Sequence, residues 1–253
     1  MTPSDPLSLA EHPIPTLSDP DWAAIANLPI VEEGGRLHPT SLGRAGMATW
    51  PIYHALGVPG AVAECFVREP VYRGLLAASN MLPEGVGLVV LDGWRPMAVQ
   101  RALFERLHTL MAERFPEYSN DRLYQKTRAF VAPPSDDPAA PSPHLTGGAV
   151  DVALCDECGL ILDMGSAFDE VCSASYTDHF ETHLDAEDAM LYRARRRVLF
   201  HAMASAGFVN LPSEWWHYSL GDQLWAWRTG ARAAQFGPTS PYTIEQRWAA
   251  SLV

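Results

Sequence analysis

Residues 142–151 read Ser142-Pro143-His144-Leu145-Thr146-Gly147-Gly148-Ala149-Val150-Asp151. His144 and Asp151 stand seven positions apart, an odd spacing, so on an uninterrupted strand they would face opposite sides of a sheet. For the two side chains to meet, the backbone has to bend between them, and Thr146-Gly147-Gly148 can supply that bend as a loop or bulge. Imidazole and carboxylate are both ordinary zinc ligands. This stretch therefore asks for a tight turn running into a strand, with metal-binding groups on both.

About sixty residues further on, Glu214-Trp215-Trp216-His217 offers another imidazole with a carboxylate three positions before it. A catalytic zinc site needs protein ligands, an open position for water, and a base that reaches the water without joining the ligands. His144, Asp151 and His217 supply the ligands in this reading, and Glu214 the base. Each motif alone has a plainer account, a polar loop in one case and an aromatic core strand with a satisfied histidine in the other. Both being accidental is the weaker explanation.

The rest of the chain predicts a helix-rich first half and a strand-rich second half, with no internal repeat. Residues 1–22, rich in Pro, Ser and Asp, read as an extended arm, with one domain over residues 23–253. A helix is predicted to begin after Glu69-Pro70 and stop near Pro83-Glu84-Gly85. Val86 to Leu91 is a buried strand, and Pro96 opens a helix running to about Arg114. Arg95 falls at that strand-to-helix junction, where a guanidinium can reach a site and meet a developing oxyanion.

Another helical piece is expected around Arg122 to Phe130, followed by a proline-rich loop over residues 132–141 with no reason to pack. Gly148 to Leu154 is a strand, Cys155 to Gly159 a hairpin turn, and Leu160 to Leu162 a return strand. Asp185 is expected to cap a long helix stopped by Gly207. Phe208 to Asn210 and Glu214 to Leu220 read as strands, the latter paired with a strand over Gln223 to Trp227. Helices first and then strands with one inserted helix make an α+β fold, with a central antiparallel sheet flanked by helices and the zinc site on the sheet.

A net charge of -12 argues against a nucleic-acid surface, which needs clustered Lys and Arg. The first thirty residues lack a basic start and an apolar run, and no window is apolar enough to span a membrane, so a cytoplasmic location is expected. Four cysteines in 253 residues suit a reducing compartment. Two other metal patterns are weaker. His179 and His183 lie four apart without a third ligand nearby, and Cys155 and Cys158 lack a second pair.

Asp92-Gly93-Trp94-Arg95-Pro96, Ser142-x-His144 with Asp151, and Glu214-Trp215-Trp216-His217 together resemble the D-alanyl-D-alanine dipeptidases, the group that includes the vancomycin-resistance dipeptidases. The resemblance runs from about residue 86 to 218 and departs from the pattern before residue 86. It implies a compact α+β domain binding one Zn2+ through His144, Asp151 and His217, with Glu214 as base and Arg95 stabilising the transition state. It further implies that Asp169 holds the amino terminus of a small dipeptide substrate and that Ser142 helps position it. The rival readings are a zinc-scaffold binding protein without catalysis and a peptidoglycan carboxypeptidase.

Overall fold

A computed structural model describes residues 6–42 and 46–252. After a 3-10 turn at Pro6–Glu11 come helix α1 (Trp22–Ala26), strands β1 (Leu37–Pro39) and β2 (Met47–Thr49), and helix α2 (Ile52–Ala55). Strand β3 (Phe66–Arg68) leads into α3 (Glu69–Ser79), β4 (Val86–Asp92), α4 (Met97–Arg114) and α5 (Asn120–Arg128). Strand β5 (Ala149–Asp156), helices α6 (His179–Thr182) and α7 (Ala189–Ser205), strands β6 (Val209–Asn210) and β7 (His217–Ser219), and helices α8 (Gln223–Thr229) and α9 (Ile244–Ser251) complete the order.

The main sheet has five strands in the order β2-β4-β5-β7-β6. Its pairs are antiparallel except β2 with β4, so the expected antiparallel sheet is mixed at one edge. Strand β4 is buried because Leu88, Val89, Val90 and Leu91 have apolar neighbours on both faces, and β5 is buried from Ala149 to Cys155. Helices α3 and α7 bring Val71, Leu75, Leu199 and Met203 into the same core. Among the described residues no helix is long and apolar enough to cross a membrane.

Several expectations meet a different outcome. Gln223 to Trp227 is helix α8, not a strand: Asp222 Oδ1 accepts from Trp225 N at 2.8 Å as its N-cap, and Gly230 in the left-handed region ends it. Aromatic residues favour strands only weakly, and here the caps prevail. Leu160 to Leu162 makes only an isolated bridge, Cys155 to Ile161, instead of a return strand. Only His217 to Ser219 of the Glu214 to Leu220 segment is strand, since Glu214 and its neighbours form a turn. Helix α7 starts at Ala189 after Asp188, three residues later than Asp185 allows.

The proline-rich loop does pack. Gln100 Nε2 donates to Ala132 O at 2.6 Å and Gln223 Nε2 donates to Ala139 O at 2.9 Å, which gives carbonyls without regular partners their hydrogen bonds. The N-terminal stretch includes a 3-10 turn and buries Leu9 and Ile14. Arg197, on α7, donates to Ala10 O at 3.2 Å.

Candidate functional site

The sheet register assembles the site. Asp151 on β5 stands opposite Asp92 on β4 and opposite His217 on β7, so three chemically active residues form one row across three strands. A register shift between Val90 and Asp92 turns the end of β4, the kind of irregularity that re-aims a side chain. Asp92 was quoted in the sequence motif but given no task there. Its signal was the turn itself, Asp92-Gly93, at the end of a buried strand.

His144 arrives by a different route. It lies in a 3-10 turn, Pro143–Thr146, ended by Gly147 at φ 70°. A Cβ on Gly148 would come within 2.9 Å of Phe236 and 3.0 Å of the Leu220 carbonyl, so the strand can start this close only with glycine there. His144 is thus off the strand, and the seven-residue parity does not apply. Arg68 secures the turn: its backbone N–H donates to Gly147 O at 2.9 Å and its Nε to Thr146 O at 2.8 Å.

The result is a buried cluster. His144, Asp151 and His217 each offer a ligand atom, all within 4.8 Å of one another. His144 Nε2 lies 3.1 Å from His217 Nδ1 and 3.4 Å from Asp151 Oδ1, and His217 Nδ1 lies 3.1 Å from the same Oδ1. Burial would raise the Asp151 pKa, but the two imidazoles reverse this and hold its carboxyl well below the usual range.

The donor set fits a cation. His144 Nδ1 lies 2.8 Å from the Gly93 carbonyl, which assigns the proton to that nitrogen and leaves Nε2 as a bare acceptor facing the carboxylate. His217 turns Nδ1 to the same carboxylate oxygen, at 3.1 Å. Acceptors crowded this closely need positive charge among them, and two imidazoles with one carboxylate are a set that suits a divalent metal such as zinc.

Glu214 sits beside the cluster, Oε2 3.8 Å from His217 Nδ1. Asn210 holds its turn through Nδ2, which donates to Glu214 O at 3.1 Å and His217 O at 3.0 Å. Burial, then the negative charges of Asp151 and Asp169, push the Glu214 pKa up to about 8.

Arg95 is buried and heavily engaged. It donates through Nε to Asp92 Oδ2 at 2.7 Å and through Nη1 to Gln100 Oε1 at 2.8 Å. Its Nη2 donates more loosely to Asp151 Oδ2 at 3.2 Å and Tyr53 OH at 3.4 Å. Tyr53, from α2, in turn donates to Asp169 Oδ2 at 3.2 Å. Asp169 has φ 61°, the one described non-glycine residue in the left-handed region, at a cost on the order of 1 kcal/mol. Burial raises its pKa.

Buried Arg196 fixes the segment that carries Asp169 by donating to Met164 O, Tyr176 O and Ala174 O at 2.8, 2.9 and 2.8 Å. Ser142 is buried where the loop meets the turn, its hydroxyl 3.5 Å from Pro133 O. All seven residues singled out in the sequence line one cleft of about 810 Å³. Tyr53, Gln100 and the α1 residue Trp22 line it too, and nothing in their local sequence marks them. His179 and His183 stack with ring centroids 4.2 Å apart, but among the described residues they join no cluster of three ligands.

The fold and site define the class of α+β proteins that gather two histidines and an aspartate able to hold a metal ion beside a central sheet. A family model described as D-Ala-D-Ala dipeptidase matches residues 57–235. The D-alanyl-D-alanine dipeptidase of Synechocystis sp. is 35% identical over 158 residues, covering 57% of this chain and 64% of that protein, just under two thirds of its length. That of Escherichia coli is 30% identical over 160 residues, 62% of this chain and 68% of its own. That of Enterococcus faecium is 28% identical over 187 residues, 71% and 85% respectively. The chain belongs to the D-Ala-D-Ala dipeptidase family.

Proposed function

We propose that the protein is a zinc-dependent dipeptidase acting on D-Ala-D-Ala or a similar small dipeptide, with residues 23–253 as its catalytic domain. The observation that carries this reading is the Glu214 carboxylate lying 3.8 Å from His217 at the edge of the His144, Asp151 and His217 group. Zn2+ held by those three residues would lower the pKa of water and polarise the scissile carbonyl.

Glu214 takes the proton of the attacking water and returns it to the leaving amine, from a position beside the metal-binding residues and not among them. Arg95 supplies fixed positive charge. Its two long Nη2 contacts, at 3.2 and 3.4 Å, are the ones that can turn toward an oxyanion while Nε and Nη1 keep the plane in place. Asp169 receives the substrate amine, and Ser142 positions the chain next to it. The cytoplasm is the compartment we assign to this activity, as the few cysteines suggest.

Metal analysis joined to a hydrolysis screen over D,D-, L,D- and L,L-dipeptides tests the reading. Zinc-loaded protein is expected to hydrolyse free dipeptides, with N-blocked peptides poor substrates because Asp169 loses its amine. Zinc-loaded protein that hydrolyses none of them contradicts it.

A further inference from the structure

Among the described residues the cleft is lined by six carboxylates and two arginines, Arg95 and Arg128. Arg95 has all three of its guanidinium nitrogens hydrogen-bonded to protein groups. Arg128, the last residue of α5, is half-buried, lines the same cleft, and among the described residues has no side-chain hydrogen bond or ion pair. Asp19 and Asp21 line the cleft as well, yet neither pairs with it: Asp21 accepts from Ala23 N and Ala24 N as the cap of α1.

Arg128 shares the cleft with large apolar side chains as well as with Asp19, Asp21 and Gln125. Trp22 of α1 and Phe130, just beyond α5, line the cleft with it. A cleft of about 810 Å³ lies within the roughly 300–1,000 Å³ of sites that hold drug-sized ligands, far more than two alanines fill.

A dipeptide brings an amine, a scissile amide and a carboxylate. On the reading above, which this inference rests on, Asp169 answers the amine and the metal group with Glu214 the amide. The carboxylate still needs a cation, and the uncommitted guanidinium is Arg128. We infer that Arg128 binds the free carboxylate of the substrate, and that the C-terminal side chain beside it lies against Trp22 and Phe130, so that residues larger than alanine are accepted there. A guanidinium presents paired donors to a carboxylate, which an uncharged amide cannot replace.

The test is calorimetric binding of D-Ala-D-Ala, D-Ala-D-Phe and D-Ala-D-Phe amide to zinc-reconstituted Glu214→Ala protein, with and without Arg128→Gln or Arg128→Lys. The acid is expected to bind at least tenfold tighter than the amide, a difference that disappears in Arg128→Gln and partly returns in Arg128→Lys, with D-Ala-D-Phe at least matching D-Ala-D-Ala. Thermal melting of each variant reads its folding separately. Acid and amide bound equally by protein retaining Arg128, an unchanged ratio in Arg128→Gln, or no binding of the series overturns the inference. If this pattern holds while the unmutated, zinc-loaded protein hydrolyses none of the series, the dipeptidase reading fails and the carboxylate site stands.

Discussion

Arg95 Nη2 donates to Asp151 Oδ2 at 3.2 Å, while the other oxygen of Asp151 faces His217 Nδ1 at 3.1 Å. One carboxylate is thus divided between a fixed guanidinium and the two imidazoles. Arg95→Ala leaves buried Asp151 and partly buried Asp92 without their cation, and breaking a buried pair in this way costs about 3–5 kcal/mol. Denaturant unfolding should read that loss. Chelator competition should show metal affinity falling about 10–100-fold, as expected when the group orienting a ligand is removed.

Gly93 is the second support of the His144, Asp151 and His217 cluster. A Cβ there would meet the Phe66 carbonyl oxygen, which bonds the Trp94 N–H in the same tight crossing. Gly93→Ala has to shift the peptide whose carbonyl holds His144 Nδ1. Stability is expected to fall by roughly 1–3 kcal/mol, as for overpacking, with weaker metal binding in the same variant. A melting curve and a metal titration check the two effects.

Metal-free protein should lose stability as pH rises, through Glu214. Its pKa is raised from 4.5 to about 8, so between those values the folded state holds a proton that the unfolded state has released. The stabilisation is full below about pH 4.5 and is lost as pH passes about 8. Glu214→Gln, which stays neutral in both states, should flatten this part of the profile. Melting temperature against pH for both proteins is the measurement.

Removing the ligands gives a fourth expectation. His144→Ala and His217→Ala should each bind zinc far more weakly, and chelation of the unmutated protein should abolish activity that added zinc restores. Zinc content after dialysis, paired with dipeptide hydrolysis, reads this directly.

The chemistry was more legible in the sequence than the support for it. His144, Asp151, Glu214 and His217 sit in short motifs recognisable by residue type, and the structure brings all four together. Asp92 holds Arg95, and Asn210 holds Glu214 and His217, from only three to seven positions away, but Gln100 reaches Ala132 across 32 positions and Tyr53 reaches Asp169 across 116. No local pattern encodes such a pairing. The fold is readable where an apolar run or a leading proline marks an element, as in β4 and α4, and differs from the expectation at α8, where the Asp222 cap and the Gly230 stop make a helix of the expected return strand. The proline-rich loop was misjudged because its anchors, Gln100 and Gln223, lie far away in sequence.

Zinc content and dipeptide turnover measured together on Glu214→Ala test the central claim most directly. Glu214 stands next to the ligand group without being counted in it, so the variant is expected to retain about one zinc ion per chain and to lose turnover by at least about 100-fold. A zinc-loaded Glu214→Ala protein that still hydrolyses dipeptides at the unmutated rate would contradict the account.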